Sequence, residues 1–199
     1  MSAALEEELK WRGFLHTVTP DLDLNAKHTV YLGIDPTARS LHIGSLLPIM
    51  CLNKFVEHGH NVVLLIGNGT AMIGDPSGKK NERSMLSNDD IASNIAGIEG
   101  QLKRLVPNAT VMYNADWLKD MTILGFLRSV GKHFSLNYMR AKESVRSREE
   151  AGISFTEFSY MLLQAYDFFH LWKHHGCTLQ MGGSDQWGNS IAGVDLTRR

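Results

Sequence analysis

Residues 29–66 read TVYLGIDPTARSLHIGSLLPIMCLNKFVEHGHNVVLLI, and the fold turns on this stretch. Thr29 to Ile34 is a β-branched and aromatic run that stops at Asp35-Pro36-Thr37, a turn signal. A helix is expected from about Gly44 to His58, with Gly59 as its stop. Pro48 is read as lying in the first turn, where a missing N–H has no partner to lose. Val62-Val63-Leu64-Leu65-Ile66 is apolar without alternation, as suits a strand covered on both faces of a parallel sheet. Strand, helix and strand in sequence make a βαβ unit, which is right-handed by a strong rule.

Outward from this unit the pattern continues. Residues 5–15 pattern as a short amphipathic helix, with Leu5, Leu9 and Trp11 among charges. Residues 88–105 read as a helix, Thr110 to Tyr113 as a third strand, and 117–150 as a charged helical region, either an insertion or a subunit contact. Residues 154–175 form the longest apolar helical pattern, followed by a short strand from Cys177 to Met181. The expected class is α/β, a doubly wound parallel sheet.

At 199 residues the chain can bury a full core, and its formal net charge is −1. A protein gripping nucleic acid over its whole surface carries a broad basic excess, so any RNA contact must be local or lie on a part not present. Cys51 and Cys177 fit neither a metal spacing nor a redox pair, and no metal site is expected. No apolar run is long enough to cross a bilayer, and Glu6, Glu7 and Glu8 suit neither a secretion signal nor a transit peptide. A cytoplasmic protein is the simplest expectation; a matured organellar form stays open.

Three constellations carry chemistry. On the first strand Tyr31, Gly33 and Asp35 alternate onto one face, and the glycine leaves a notch where a ligand can lie against backbone. Asp35 and Thr37 fall beyond the strand's carboxyl end, where open α/β sheets bind ligands. His42 and Gly44 open the next helix, whose free N–H groups favour phosphate. The second constellation runs from Gly67-Asn68-Gly69-Thr70 through Gly74-Asp75-Pro76-Ser77-Gly78-Lys79-Lys80 to Arg83. It fails the Walker spacing, yet a polar, glycine-rich loop after a buried strand is placed to line a site. Asp75 suits a cationic group, and Lys79 and Arg83 an anion. In the third, Tyr160, Gln164 and Asp167 share one stripe of the long apolar helix. Polar groups so placed must be hydrogen-bonded or wet, since an unpaired buried one costs about 1–3 kcal/mol. A pocket explains them. Beyond lie Gln180 and Gly182-Gly183-Ser184-Asp185-Gln186-Trp187-Gly188-Asn189, where two glycines and an acid suit a nucleotide ribose.

Together the string from Tyr31 to Gly44, the Gly74–Lys79 loop, Ser154 to Tyr160, Gln164 to Asp167 and Gly182 to Asn189 resemble the bacterial-type tyrosyl-tRNA synthetase family. The resemblance implies a Rossmann-like class I synthetase catalytic domain that activates L-tyrosine with ATP and Mg2+ and passes it to tRNA(Tyr). It implies that Tyr31 and Asp167 meet the phenolic hydroxyl, and that Asp75, Tyr160 and Gln164 hold the ammonium. Gly33, Asp35, Gln180 and Gln186 would line the amino-acid side. Thr37 and His42 would stabilise the phosphates, Lys79 and Arg83 would contact phosphate or the tRNA acceptor end, and Leu32, Asp35, Gly44, Ser45, Gly182, Gly183 and Asp185 would hold ATP. A homodimer is implied through a helical segment at about 117–155.

The sequence departs from the family's pattern in two ATP contacts. The H-I-G-H signature ends in Ser45, and Leu32 stands where some members have cysteine, which removes a hydrogen bond worth about 0.5–1.5 kcal/mol. The second lysine-rich signature loop and an anticodon-binding domain are absent from residues 1–199. The expectation is therefore a catalytic domain truncated before that loop, able to bind tyrosine but catalytically incomplete. Two other readings compete. An RNA-binding protein that kept the fold should have lost the site residues. Another adenylyl-transferring enzyme should lack the Tyr31–Asp167 pair.

Overall fold

The apolar runs at 30–32 and 62–66 are buried because the sheet they form is covered on both faces. The computed structural model describes residues 4–20, 22–77, 85–146 and 152–199. In chain order the elements are α1 (Leu5–Trp11), β1 (Thr29–Ile34), α2 (Ile43–Glu57), β2 (Asn61–Ile66), α3 (Asn88–Leu105), β3 (Thr110–Tyr113), α4 (Ala115–Leu118), α5 (Ile123–Ser129), α6 (Leu136–Arg140), α7 (Glu143–Arg146), α8 (Phe155–His175), β4 (Leu179–Met181) and α9 (Trp187–Thr197). All strand pairs are parallel, in the order β3-β2-β1-β4. The chain moves one way from β1 to β3 and returns to β1's other side with β4. The carboxyl end of β1 thus lies at the reversal of strand order, where such sheets form their crevice.

Alternation along the strands sorts side chains into two cores. Val30, Leu32, Val62, Leu64 and Ile66 pack with Ile49, Leu52 and Phe55 of α2 and Leu102 of α3. On the opposite face Tyr31, Val63 and Leu65 pack with Phe168 and Leu171 of α8 and with Cys177. A third cluster joins Val130, Met139 and Val145 to Met161, Leu162 and Ala165 of α8 and to Ala192 and Leu196 of α9. The charged region after β3 is therefore seated on α8 and α9, and Tyr138 Oη donates to Asp195 Oδ2 at 2.7 Å. Both cysteines are buried free thiols. Among the described residues no helix is long and apolar enough to cross a membrane.

Helix ends follow local chemistry. Ser87 and Asp90 form a reciprocal capping box at the start of α3. Ser154 accepts from the Glu157 N–H to open α8, and Gly176 closes it in the left-handed region at φ +61°. Three expectations need correction. First, α1 ends at Trp11, not near residue 15, because Gly13 turns the chain at φ +70°. Phe14 N–H then bonds to Leu9 O at 2.9 Å, a helix-ending pattern that turns Phe14 and Leu15 onto the core. Second, Pro48 lies in the second turn of α2 and not its first. Its ring removes a bond to the Gly44 carbonyl, which stays reachable by water because Gly44 is exposed. Third, the strand expected from Cys177 begins only at Leu179.

One face of α3 holds the loop that leaves β1. Asn94 Nδ2 donates to Pro36 O at 2.9 Å, and Gln101 Oε1 accepts from Leu41 N–H at 2.8 Å. Between them sits Gly97, where an added Cβ would lie 2.0 Å from Arg39 O. Glycine is required here by contact, against its helix propensity. Gly97→Ala is expected to lower the unfolding free energy by roughly 1–3 kcal/mol through overpacking. One turn on, Gly100 has nothing within 4 Å of its added Cβ. Gly100→Ala should therefore raise stability, by about 0.5–1 kcal/mol. Urea unfolding of both variants checks the pair, and equal signs would refute the close approach.

Candidate active site

Every strand contributes its carboxyl end to one cavity of about 400 Å³. Gly33, Asp35 and Thr37 enter from β1 and its loop, Gly67 and Thr70 from β2, Asn114 from β3, and Met181, Gly182 and Gly183 from β4. His42, Gly44 and Ser45 at the start of α2 form one wall, and Tyr160, Gln164 and Asp167 of α8 another. The polar stripe of the long helix thus faces the cavity, which is why it tolerates an apolar surround.

At the inner end lie Tyr31 and Asp167, both 3% exposed. Tyr31 Oη donates to Gln180 Oε1 at 3.1 Å. Asp167 Oδ2 accepts from Asn114 Nδ2 at 2.9 Å, and Oδ1 from Trp117 Nε1 at 2.8 Å. Burial pushes the Asp167 carboxyl up to about 7; the two N–H donors oppose the rise and Asp35 adds to it. Burial, with the nearby Asp167, also holds the Tyr31 phenol well above its ordinary value. The two side chains face one space, and each keeps unused hydrogen-bonding capacity there.

Asn114 ties this end together. It is fully buried, and its Oδ1 accepts from Gly69 N–H at 2.7 Å. Its Nδ2 serves Thr70 Oγ1 and Asp167 Oδ2, each at 2.9 Å. Thr70 Oγ1 donates in turn to Asp35 Oδ1 at 2.8 Å, and Tyr160 Oη donates to Asp35 Oδ2 at 2.8 Å. A side chain at Gly67 would put its Cβ 1.9 Å from Asp35 Oδ1, so this glycine makes room for the carboxylate.

Nearer the mouth a second network forms. Asp75 Oδ1 accepts from Ser77 N–H at 2.9 Å, and its Oδ2 from Gln186 Nε2 at 2.8 Å. Asn189 Nδ2 donates to Gln164 Oε1 at 2.9 Å. Asp185 accepts from Gln186 at 3.0 Å. The lining holds four carboxylates, Asp35, Asp75, Asp167 and Asp185, and no lysine or arginine among the described residues. Such a surface suits a cationic group near Asp75 and leaves anions to the N-terminus of α2, beside the exposed Thr37 and His42.

Most residues singled out in the sequence meet here. Gln180 is not among the residues lining this cavity: its side chain lies beside Tyr31, accepts from its hydroxyl and donates to the Ser190 carbonyl. Gln180 pairs directly with Tyr31 across the sheet, so the two side chains share a face and lie next to each other. Leu32 reaches the cavity edge, but its side chain lies in the opposite core. Lys79 and Arg83 lie outside the described residues. Asn114 and Trp117 carried no role in the sequence reading. The signal that could have found them was position, because Asn114 directly follows β3 at the carboxyl edge. A further cavity of about 290 Å³ lies against the apolar 14–24 segment and shares Met181, Gly182, Gly183 and Ser190 with this one.

The chain resembles known proteins over its whole length. Residues 23–199 match the family model tRNA-synt_1b, described as tRNA synthetases class I (W and Y). The chain is 52% identical, over 97% of its length, to a tyrosine–tRNA ligase of Roseiflexus castenholzii, and 49% identical, over its full length, to one of Staphylococcus haemolyticus. It covers 48% and 50% of these proteins, so the chain spans about half the length of the curated relatives it matches. A C-terminally truncated mitochondrial tyrosyl-tRNA synthetase of Aspergillus nidulans superposes with a TM-score of 0.86 at 30% identity, covering 99% of this chain and 61% of that one. A tyrosyl-tRNA synthetase of Archaeoglobus fulgidus complexed with L-tyrosine superposes at 0.65 with 20% identity, over 86% of this chain and 51% of that one, and shares the fold.

Asn114→Ala would leave Asp167 Oδ2 and the Gly69 N–H without their partner. The expected loss is roughly 1–3 kcal/mol for each buried group left unpaired. Chemical denaturation measures it, and a loss under about 0.5 kcal/mol, the range of a neutral surface change, would contradict the network.

Proposed function

The chain belongs to the class I tRNA synthetases of the tryptophan and tyrosine group, and on that premise we propose that it binds L-tyrosine and ATP to form tyrosyl-adenylate for transfer to tRNA(Tyr). The observation that carries this reading is the shared end of the cavity, where a Tyr31 hydroxyl and an Asp167 carboxylate face one space. A phenol there gains two partners. A phenylalanine ring would desolvate both groups and leave their remaining hydrogen-bonding capacity unmet, and sites of this kind reject the deoxy analogue strongly. Tyrosyl-tRNA synthetases are the established example of the effect, with a discrimination of about 10⁵ reached without editing. The same pair disfavours tryptophan, which has no phenol. The curated relatives at 52% and 49% identity are tyrosine–tRNA ligases, which supports the same choice.

In this reading Asp75, Tyr160 and Gln164 receive the ammonium, with Gln186 beside them and Gly33 giving the substrate backbone clearance. Asp35 serves by orienting Tyr160 and Thr70. Thr37 and His42 stabilise the phosphates while an oxygen of the tyrosine carboxylate attacks the α-phosphorus. The bond to the β-phosphate oxygen breaks, and pyrophosphate leaves. Gly44, Ser45, Gly182, Gly183 and Asp185 hold adenine and ribose, and Leu32 contributes only shape. Lys79 and Arg83 are the cations proposed for the phosphates or the acceptor end. Rate comes from positioning and from electrostatic stabilisation of the phosphoryl transition state. A Mg2+ accompanying the ATP would share the charge of its phosphates, the usual way this cation is held.

Calorimetric titration tests the substrate. Tyrosine should bind and phenylalanine should not. Affinity should rise from pH 6 to pH 8, since Asp167 titrates near 7 and its carboxylate is the better acceptor once ionised. Asp167→Asn should remove that pH dependence. Equal affinity for tyrosine and phenylalanine would defeat the reading.

A homodimer is proposed through the segment at about 117–155. Its support is a set of exposed apolar side chains, Ile123 (78%), Leu124 (80%), Leu136 (68%) and Phe155 (78%). Sedimentation should give a dimer at micromolar concentration that Phe155→Asp weakens. A wild-type monomer under those conditions would overturn it. A cytoplasmic setting accords with these roles.

A further inference from the structure

One turn beyond Asp167 on α8 stands His170, which lines no part of the cavity. Its imidazole lies nearly parallel over the Trp117 indole, with centroids 4.3 Å apart and an interplanar angle of 14°. The same indole donates its Nε1–H to Asp167 Oδ1 at 2.8 Å. Asp167 and His170 are three positions apart and share a helix face. One takes the indole by its edge and the other by its flat side.

The two donors on Asp167 are not equally secured. Asn114 is fully buried and fastened to Gly69 and Thr70 as well as to the carboxylate. Trp117 has a single polar atom and stands on α4, a four-residue helix too short to hold its own shape. Its orientation depends on the rings and apolar side chains that pack on it, the Tyr31–Phe168 cluster and His170. We infer that His170 is a positioning residue for phenol recognition: stacked on Trp117, it keeps the indole N–H on Asp167 Oδ1 and so fixes how the carboxylate faces the cavity. This inference rests on the tyrosine reading given above. Burial, together with His174 and His175, pushes the His170 imidazole down to about 4, so the stacked ring is neutral at physiological pH. His174 and His175 approach it with centroids at 4.6 and 5.7 Å, and Tyr166 at 6.2 Å.

The experiment uses the intact chain and two readouts. The first is solvent exchange of the Trp117 indole proton by nuclear magnetic resonance, the signal being identified by its loss in Trp117→Phe. The second is calorimetric affinity for tyrosine and for phenylalanine. His170→Ala should speed indole exchange and weaken tyrosine binding by about three- to tenfold, the range of an aromatic stack, with phenylalanine still unbound. His170→Phe keeps a flat ring and should restore both readouts. If the alanine variant fails to fold, His170→Leu, which keeps bulk without a stack, should show the same losses. Unchanged exchange and an unchanged tyrosine preference, or losses that phenylalanine does not rescue, would overturn the inference. If the wild-type chain binds no tyrosine, the substrate reading falls instead, and indole exchange alone still decides whether His170 secures Trp117.

Discussion

A carboxylate buried at the inner end of a parallel sheet's crevice is the constraint around which this molecule is organised. Asp167 is 3% exposed, and Trp117, which donates to it, packs against the apolar cluster of Tyr31, Val63, Leu65 and Phe168. Isolated, such a charge would be prohibitive to bury. Here it is met by an amide and an indole N–H, and charge-assisted hydrogen bonds are the stronger kind. The remaining cost shows as a carboxyl pushed up to about 7. A group so poised at neutral pH, with acceptor capacity left over, suits recognition of a hydroxyl better than it suits stability.

The polar groups around it form a chain of supports. Asn114 links the end of β3 to the loop after β2 and to α8, and Thr70 passes the connection to Asp35 after β1. Four segments are thus held in fixed relation by these side chains. The opposite wall is positioned from outside the cavity. There α3 grips the 36–41 loop through Asn94, Gln101 and the close approach at Gly97, which sets where His42 and α2 begin. On the α2 side the cavity wall is thus positioned by residues of α3 that do not line it.

Sequence patterns carried much of this. The apolar run from Val62 to Ile66 implied a two-sided sheet because nothing polar interrupts it, and both faces are covered. The Tyr160, Gln164 and Asp167 stripe implied a pocket because helical spacing puts them on one side, and all three line it. Gln180 pairs in register with Tyr31, which sets the two side chains next to each other on one face, where Gln180 accepts from the Tyr31 hydroxyl. Pro48 misled by position, since whether counted from Gly44 or from Ile43 it falls past the first turn, where its missing N–H forgoes a bond to the Gly44 carbonyl.

What the sequence determined by itself is the order of elements, the parallel sheet and the identity of most cavity residues. These depend on short-range periodicity, on turn chemistry and on strings that keep their spacing. Only the tertiary structure decided which partner each buried polar group takes. Asn114 and Trp117 reach Asp167 from about fifty positions away in sequence, at separations of 53 and 50 residues. No local pattern encodes a contact across such a distance. It follows from the packing of α4 and α8 against one face of the sheet, and that packing is settled by the whole core at once.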